Sequence, residues 1–168
     1  DTPALSALAS ILGGGRSARF YEKFHDRLGM VYSIEVNSNQ SESDEGAFTI
    51  TMDVDRAQRD KVRDLILQEL RNLEREDFTE DLKRVCKQTR VSRLRRKSSA
   101  SGMASEMGAD WFGARNLNLS SEWQEAIERV TSEDLHRVCA GWLSSPNVTE
   151  VSLDPLGSNA EEVPAGSE

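Results

Sequence analysis

The sequence predicts an α+β domain in which an antiparallel sheet packs against several helices. Three observations carry this. The periodic segments run helix, helix, strand, strand, several helices, strand, without the regular alternation of a doubly wound parallel sheet. Residues 47–54, AFTITMDV, alternate apolar and polar side chains throughout, the pattern of a half-buried strand. The longer segments instead repeat apolar residues every three or four positions, as amphipathic helices do.

Residues 4–12, ALSALASIL, read as a helix with Leu5, Leu8, Ile11 and Leu12 on one face. Gly13, Gly14 and Gly15 end it, because glycine tolerates the left-handed conformation common just past a helix. Ser17 is placed to cap a second helix over 17–28. Phe20, Phe24 and Leu28 recur along its buried side, and Gly29 closes it. Residues 31–36, VYSIEV, read as a strand, and the polar stretch NSNQSESDEG as a turn region. Residues 47–54 then form the antiparallel partner, with Phe48, Ile50, Met52 and Val54 on one face.

In 56–75, Val62, Leu65, Ile66, Leu70 and Leu73 make an apolar stripe. A weaker one, Leu82, Val85, Cys86 and Thr89, lies in 79–97. Residues 99–113 read as a small, Met-rich helix, and 120–130 as a helix lined by Trp123, Ile127 and Val130. Thr131-Ser132-Glu133-Asp134 has the spacing of a capping box and opens a last helix through Leu143, broken by Pro146. NVTEVSLD, 147–154, reads as a final strand. Beyond Pro155 no apolar pattern remains, so the division is a domain over 1–155 and a flexible tail over 156–168.

With 168 residues the chain can bury one core. No apolar run approaches the roughly 20 residues that span a bilayer. The chain opens Asp1-Thr2-Pro3 without Met, so it is expected to be a piece of a longer protein, with any targeting segment and one or more sheet strands upstream. The compartment stays open among cytoplasm, periplasm and organelle. A net charge of −8 argues against a nucleic-acid partner. Cys86 and Cys139 read as reduced, buried side chains or as a disulfide.

The glycines do not make a nucleotide site. A phosphate loop needs Gly-x-x-x-x-Gly-Lys-Ser/Thr, and a dinucleotide fold Gly-x-Gly-x-x-Gly, each after a strand. Here a helix precedes. The only histidines, His25 and His136, lie far apart, and both His-Glu-x-x-His and its inverted form are missing. A catalytic zinc takes about three protein ligands, so no metal site is assigned in this chain. His136 reads as a boundary residue. The basic run Lys83, Arg84, Lys87, Arg90, Arg93, Arg95, Arg96 and Lys97 has two readings. It is an anion or acidic-peptide surface, or a solvated face balanced by acidic segments 42–45 and 74–81.

The stretch ALSALASILGGGRSARFYEKFHDRLGMVYSIEV resembles the second, non-zinc-binding domain of the pitrilysin/insulinase-type metallopeptidases, which include the mitochondrial processing peptidases. FTEDLKRVCKQTR is similar to that family's Thr-x-Glu-x-Leu helix start, and VTSEDLHRVCAGWL to its Val-Thr-x-Glu-Asp-Leu helix. The resemblance implies two α+β halves closing on a chamber. It places zinc and a general-base Glu in a catalytic domain or partner subunit, and metal-activated water there attacks a peptide carbonyl. This fragment alone is then inactive.

For this half, the resemblance implies contact with peptide substrates and an Arg–Tyr pair reaching the zinc site. The Tyr corresponds to Tyr32, an auxiliary catalytic group donating to the oxyanion; read without the resemblance, it packs in the core. The Arg position holds His25, which lacks the fixed charge and fork of Arg. Gly13, Gly14 and Gly15 correspond to a substrate-admitting glycine-rich loop, and His25 joins them as a substrate-binding candidate. The strands offer an edge for an extended peptide. The alternative within the same fold is a proteolytically inactive scaffold, like the core subunits of the cytochrome bc complex. A surface left without its partner half would also let the fragment pair with itself.

Overall fold

The computed structural model describes residues 1–39, 46–144 and 148–154. The chain is an α+β domain. Helix α1 (Thr2–Gly13) leads into a π-helical segment, Tyr21–Arg27, and then strands β1 (Ser33–Asn39) and β2 (Ala47–Asp53). Next come α2 (Arg59–Asn72), which tightens into a 3-10 turn at Leu73–Arg75, α3 (Thr79–Lys97), α4 (Ala100–Ala114) and α5 (Leu119–Glu128). The last helix, α6 (Ser132–Val138), widens into a π turn over Cys139–Leu143.

Helix α1 is the centre of the packing. It carries no charged residue, and Ala4, Ala7, Leu8, Ala9, Ile11 and Leu12 are all buried. One face meets β1; the others meet α3, α5 and α6. A helix apolar around most of its girth has to be covered on most sides, and α1 is covered by the sheet on one side and helices on the other. Fully burying each of Leu8, Ile11 and Leu12 is worth about 1.5–3 kcal/mol.

Strands β1 and β2 pair antiparallel with Ile34 opposite Met52 and Val36 opposite Ile50. Ile34 and Val36 are buried, and Phe48, Ile50 and Met52 pack partly buried against the same core. Val62, Ile66, Leu70 and Leu73 form the buried stripe of α2 and its 3-10 turn, with Leu65 at its margin. The capping box at Thr131 closes as its spacing predicts. The Thr131 hydroxyl accepts from the Asp134 amide, and the Asp134 carboxylate accepts from the Thr131 amide.

Four expectations are corrected. Ser17 caps nothing: it is exposed in a turn where the Ala18 amide bonds to the Gly15 carbonyl, and the next helix is wound as a π-helix. Leu28 is 47% exposed, because the chain turns away at Leu28–Gly29, where Gly29 has φ 58°. The left-handed glycine after α1 is Gly15, at φ 100°, and not the capping Gly14, at φ −75°. Residues 148–154 are extended but join no ladder. Their alternate side chains Glu150, Ser152 and Asp154 bond to Arg63 and Arg59 of α2, and no strand among the described residues lies beside them. Asn147, Pro146, residues 40–45 and the tail 156–168 lie outside the described residues.

The sulfurs form no disulfide. Cys139 is fully buried, which pushes its thiol up to about 12, and Cys86 is half-buried near the Ile127 carbonyl.

Candidate functional site

Tyr32 is held by the sheet. Its amide donates to the Asp53 carbonyl (2.8 Å), one step before the first paired residues, Ser33 and Asp53. That fixes the side chain at the entrance of the hairpin. Tyr32 is 68% exposed, so the core-packing reading of this residue is wrong. Its phenol donates to Asp55 Oδ1 (3.1 Å), and this hydrogen bond, with the charge of Asp55, raises the phenol pKa. The group stays protonated through neutral pH, as a hydrogen-bond donor must.

His25 sits elsewhere. Its ring stacks on Tyr21, with centroids 4.3 Å apart and planes at 19°. Nδ1 lies 2.7 Å from Asp26 Oδ1, and Nε2 lies 3.4 Å from the Tyr21 hydroxyl. A carboxylate beside Nδ1 needs the proton there, which leaves Nε2 of the neutral ring to accept from Tyr21. Both nitrogens are thus engaged by neighbours on the same π-helical segment, while Tyr32 is engaged by Asp55.

The glycines have steric duties. A Cβ on Gly13 would stand 2.3 Å from the Val36 nitrogen, so the end of α1 approaches the β1 backbone more closely than any side chain permits. Gly15 supplies the positive φ of the following turn. Beside these sits a residue that motif reading passed over. Arg19 reaches from the start of the π-helical segment to Asp81 (Nε–Oδ2, 2.8 Å), Glu76 (3.1 Å) and the Asp77 carbonyl (2.6 Å), and its guanidinium lies 5.0 Å from the Phe78 ring centroid. The signal was present in the quoted Gly-Gly-Gly-Arg-Ser-Ala-Arg stretch, as the second arginine.

An open depression of about 520 Å³ has an apolar floor of Leu12, Phe20, Leu28 and Leu73. Its charged rim is internally neutralised by the pairs Arg19–Glu76, Lys23–Glu69 and Arg27–Glu22. None of Gly13, Gly14, Gly15, His25 or Tyr32 lines it. The residues also do not fit zinc: among the described residues no group of three His, Cys, Asp or Glu side chains could hold a metal.

The basic run is largely neutralised. Lys83 pairs with Glu80, Arg84 with Asp81, Arg90 with Glu128, and Arg93 and Lys97 with Glu106. Two of these acids belong to the expected segment 74–81; Glu106 and Glu128 come from α4 and α5. His136 is the boundary residue expected, with Nε2 2.8 Å from the Glu76 carbonyl oxygen.

A family model described as the peptidase M16 inactive domain matches residues 1–89, which include every candidate site residue above. The chain belongs to the peptidase M16 inactive-domain family. Solved structures agree with an M16 fold. A protease from Helicobacter pylori superposes with a TM-score of 0.73 at 19% identity, over 83% of this chain and 34% of its own. A peptidase M16 inactive domain from Pseudomonas fluorescens gives 0.68 at 17% identity, over 81% and 32%. The inactive peptidase domain of a Bordetella parapertussis protein, provisionally named a zinc protease, gives 0.68 at 14% identity, over 92% and 86%. The M16 chain described here therefore spans about a third of the first two relatives and most of the third. No curated protein matches it.

Proposed function

We propose that this M16 domain is the non-zinc-binding half of a zinc metalloendopeptidase, a wall of the substrate chamber that touches peptide while zinc and the catalytic Glu lie in another domain or subunit. The observation that carries the reading is the family match over residues 1–89, the segment in which Tyr32 presents an exposed phenol from a backbone-fixed position. Tyr32 donates to the developing oxyanion of a peptide carbonyl, exchanging its Asp55 contact for the substrate oxygen. His25 and the Gly13–Gly15 turn contact the peptide flanking that point. No step is assigned to metal, because the residues of this half do not hold one.

The test is cleavage of a quenched peptide mixture by the intact native protein, captured with an antibody to this chain, with and without a zinc chelator. Chelator-sensitive cleavage that falls about a hundredfold in Tyr32→Phe, the size typical of losing one oxyanion donor, supports the reading. No cleavage by a complex of verified mass overturns it. One observation favours the second reading, a scaffold without proteolysis: His25 replaces the expected Arg and spends both ring nitrogens on Tyr21 and Asp26.

A further inference from the structure

Helix α4 is packed inside out. It is an apolar segment, ASGMASEMGADWFGA, yet its one fully buried residue is Asp110, whose carboxylate accepts from the amide and hydroxyl of Ser120 (3.1 and 2.6 Å) at the start of α5. Its other acid, Glu106, also turns inward to Arg93 (3.0 Å). The apolar side chains are left outside: Met103 is 49% exposed, Met107 51%, Trp111 45% and Phe112 80%. Nothing charged separates them, since both acids of the helix point the other way.

This face lies in a cationic island. Residues 82–121 hold nine Lys and Arg and only two acids, Glu106 and Asp110, in a chain of net charge −8. Arg95 and Arg96 are exposed at the elbow between α3 and α4, and among the described residues they form no ion pair. Arg115 stands at the far end of α4, about 20 Å along the axis at 1.5 Å per residue, with its guanidinium 5.4 Å from the Trp111 ring centroid. Met, aromatic and Arg side chains are the residue types enriched in the centres of protein interfaces.

We propose that the outer face of α4 docks an acidic, apolar polypeptide segment, such as a helix whose Leu or Phe side chains are flanked by Asp and Glu. Charge selects this occupant. The unpaired cations at both ends of the face repel a second copy of the same face and attract carboxylates, while Trp111 and Phe112 supply apolar anchors between them. The inference stands apart from the peptidase reading and needs no catalysis to test.

The experiment measures fluorescence anisotropy of a labelled amphipathic peptide of Leu and Glu on the intact protein, beside the same peptide with Lys for Glu. The Glu peptide is expected to bind about tenfold or more tightly than the Lys peptide and to weaken with salt. Arg95→Glu with Arg96→Glu, and separately Phe112→Ala, are expected to weaken it about tenfold while circular dichroism stays unchanged. Equal binding of both peptides, no binding, or binding that survives both variants overturns the proposal. So does binding to phosphatidylserine vesicles without binding to the peptide, or a sedimenting dimer that Phe112→Ala dissolves.

Discussion

Gly13 admits no side chain, and the reason is a backbone atom rather than a flexible neighbour. Alanine elsewhere in a helix gains about 1 kcal/mol over glycine, but here its Cβ would press on the Val36 amide nitrogen in the buried α1–β1 contact. The clash wins, so Gly13→Ala is expected to lower stability by about 1–3 kcal/mol, read as a lower urea midpoint with an unchanged slope. At the same scale, the role of Tyr32 was legible only through the resemblance. Periodicity alone left it ambiguous between core and surface, and Asp55, its partner two residues beyond β2, is 23 positions away with no spacing rule to join them. Arg19 was illegible for the same reason: its three acceptors lie more than fifty residues downstream.

Among the elements, the capping box of α6 carries a pH dependence. Hydrogen bonds from the Thr131 amide and hydroxyl hold the Asp134 carboxyl below the usual carboxylate range. A depressed carboxylate stabilises the fold above its unfolded pKa and loses that contribution as pH falls through its folded value. Thr131→Ala is therefore expected to cost about 1 kcal/mol at neutral pH, a deficit that shrinks as the carboxyl protonates, seen as converging thermal midpoints of the two proteins below about pH 3. The box was read from four adjacent letters because its geometry is local. The 3.6-residue stripes of α2 and α3 were legible too, and α3 runs over the expected residues 79–97. What local pattern failed to give was the π winding of Tyr21–Arg27 and the state of residues 148–154. An alternating segment becomes a strand only beside another strand, and pattern says nothing about the neighbour.

At the scale of the whole molecule, residues 148–154 act as a strap clamped to α2 by charge. Asp154 lies 3.1 Å from Arg59 and Glu150 3.4 Å from Arg63, whereas Val151 and Leu153 face outward at 89% and 97% exposure. With no apolar anchor, ion pairs at the surface bear the attachment, and such pairs are weak and salt-screened. Arg59→Gln with Arg63→Gln is expected to raise amide hydrogen exchange at 148–154 about tenfold while the amides of α1 keep their protection; equal exchange in both proteins would show the strap is held some other way. The centre of the molecule is built on the opposite logic. Helix α1 has nothing but burial to hold it, and two of the helices that bury it, α5 and α6, stand more than a hundred residues later in the chain. On a ribosome adding roughly 5–20 residues per second, an uncharged apolar helix waits on the order of ten seconds for its cover. Synthesis of this domain thus has a built-in interval in which its most insoluble segment is free for a chaperone or for an aggregate. The acidic surface that keeps the finished protein in solution does nothing for it until α6 emerges.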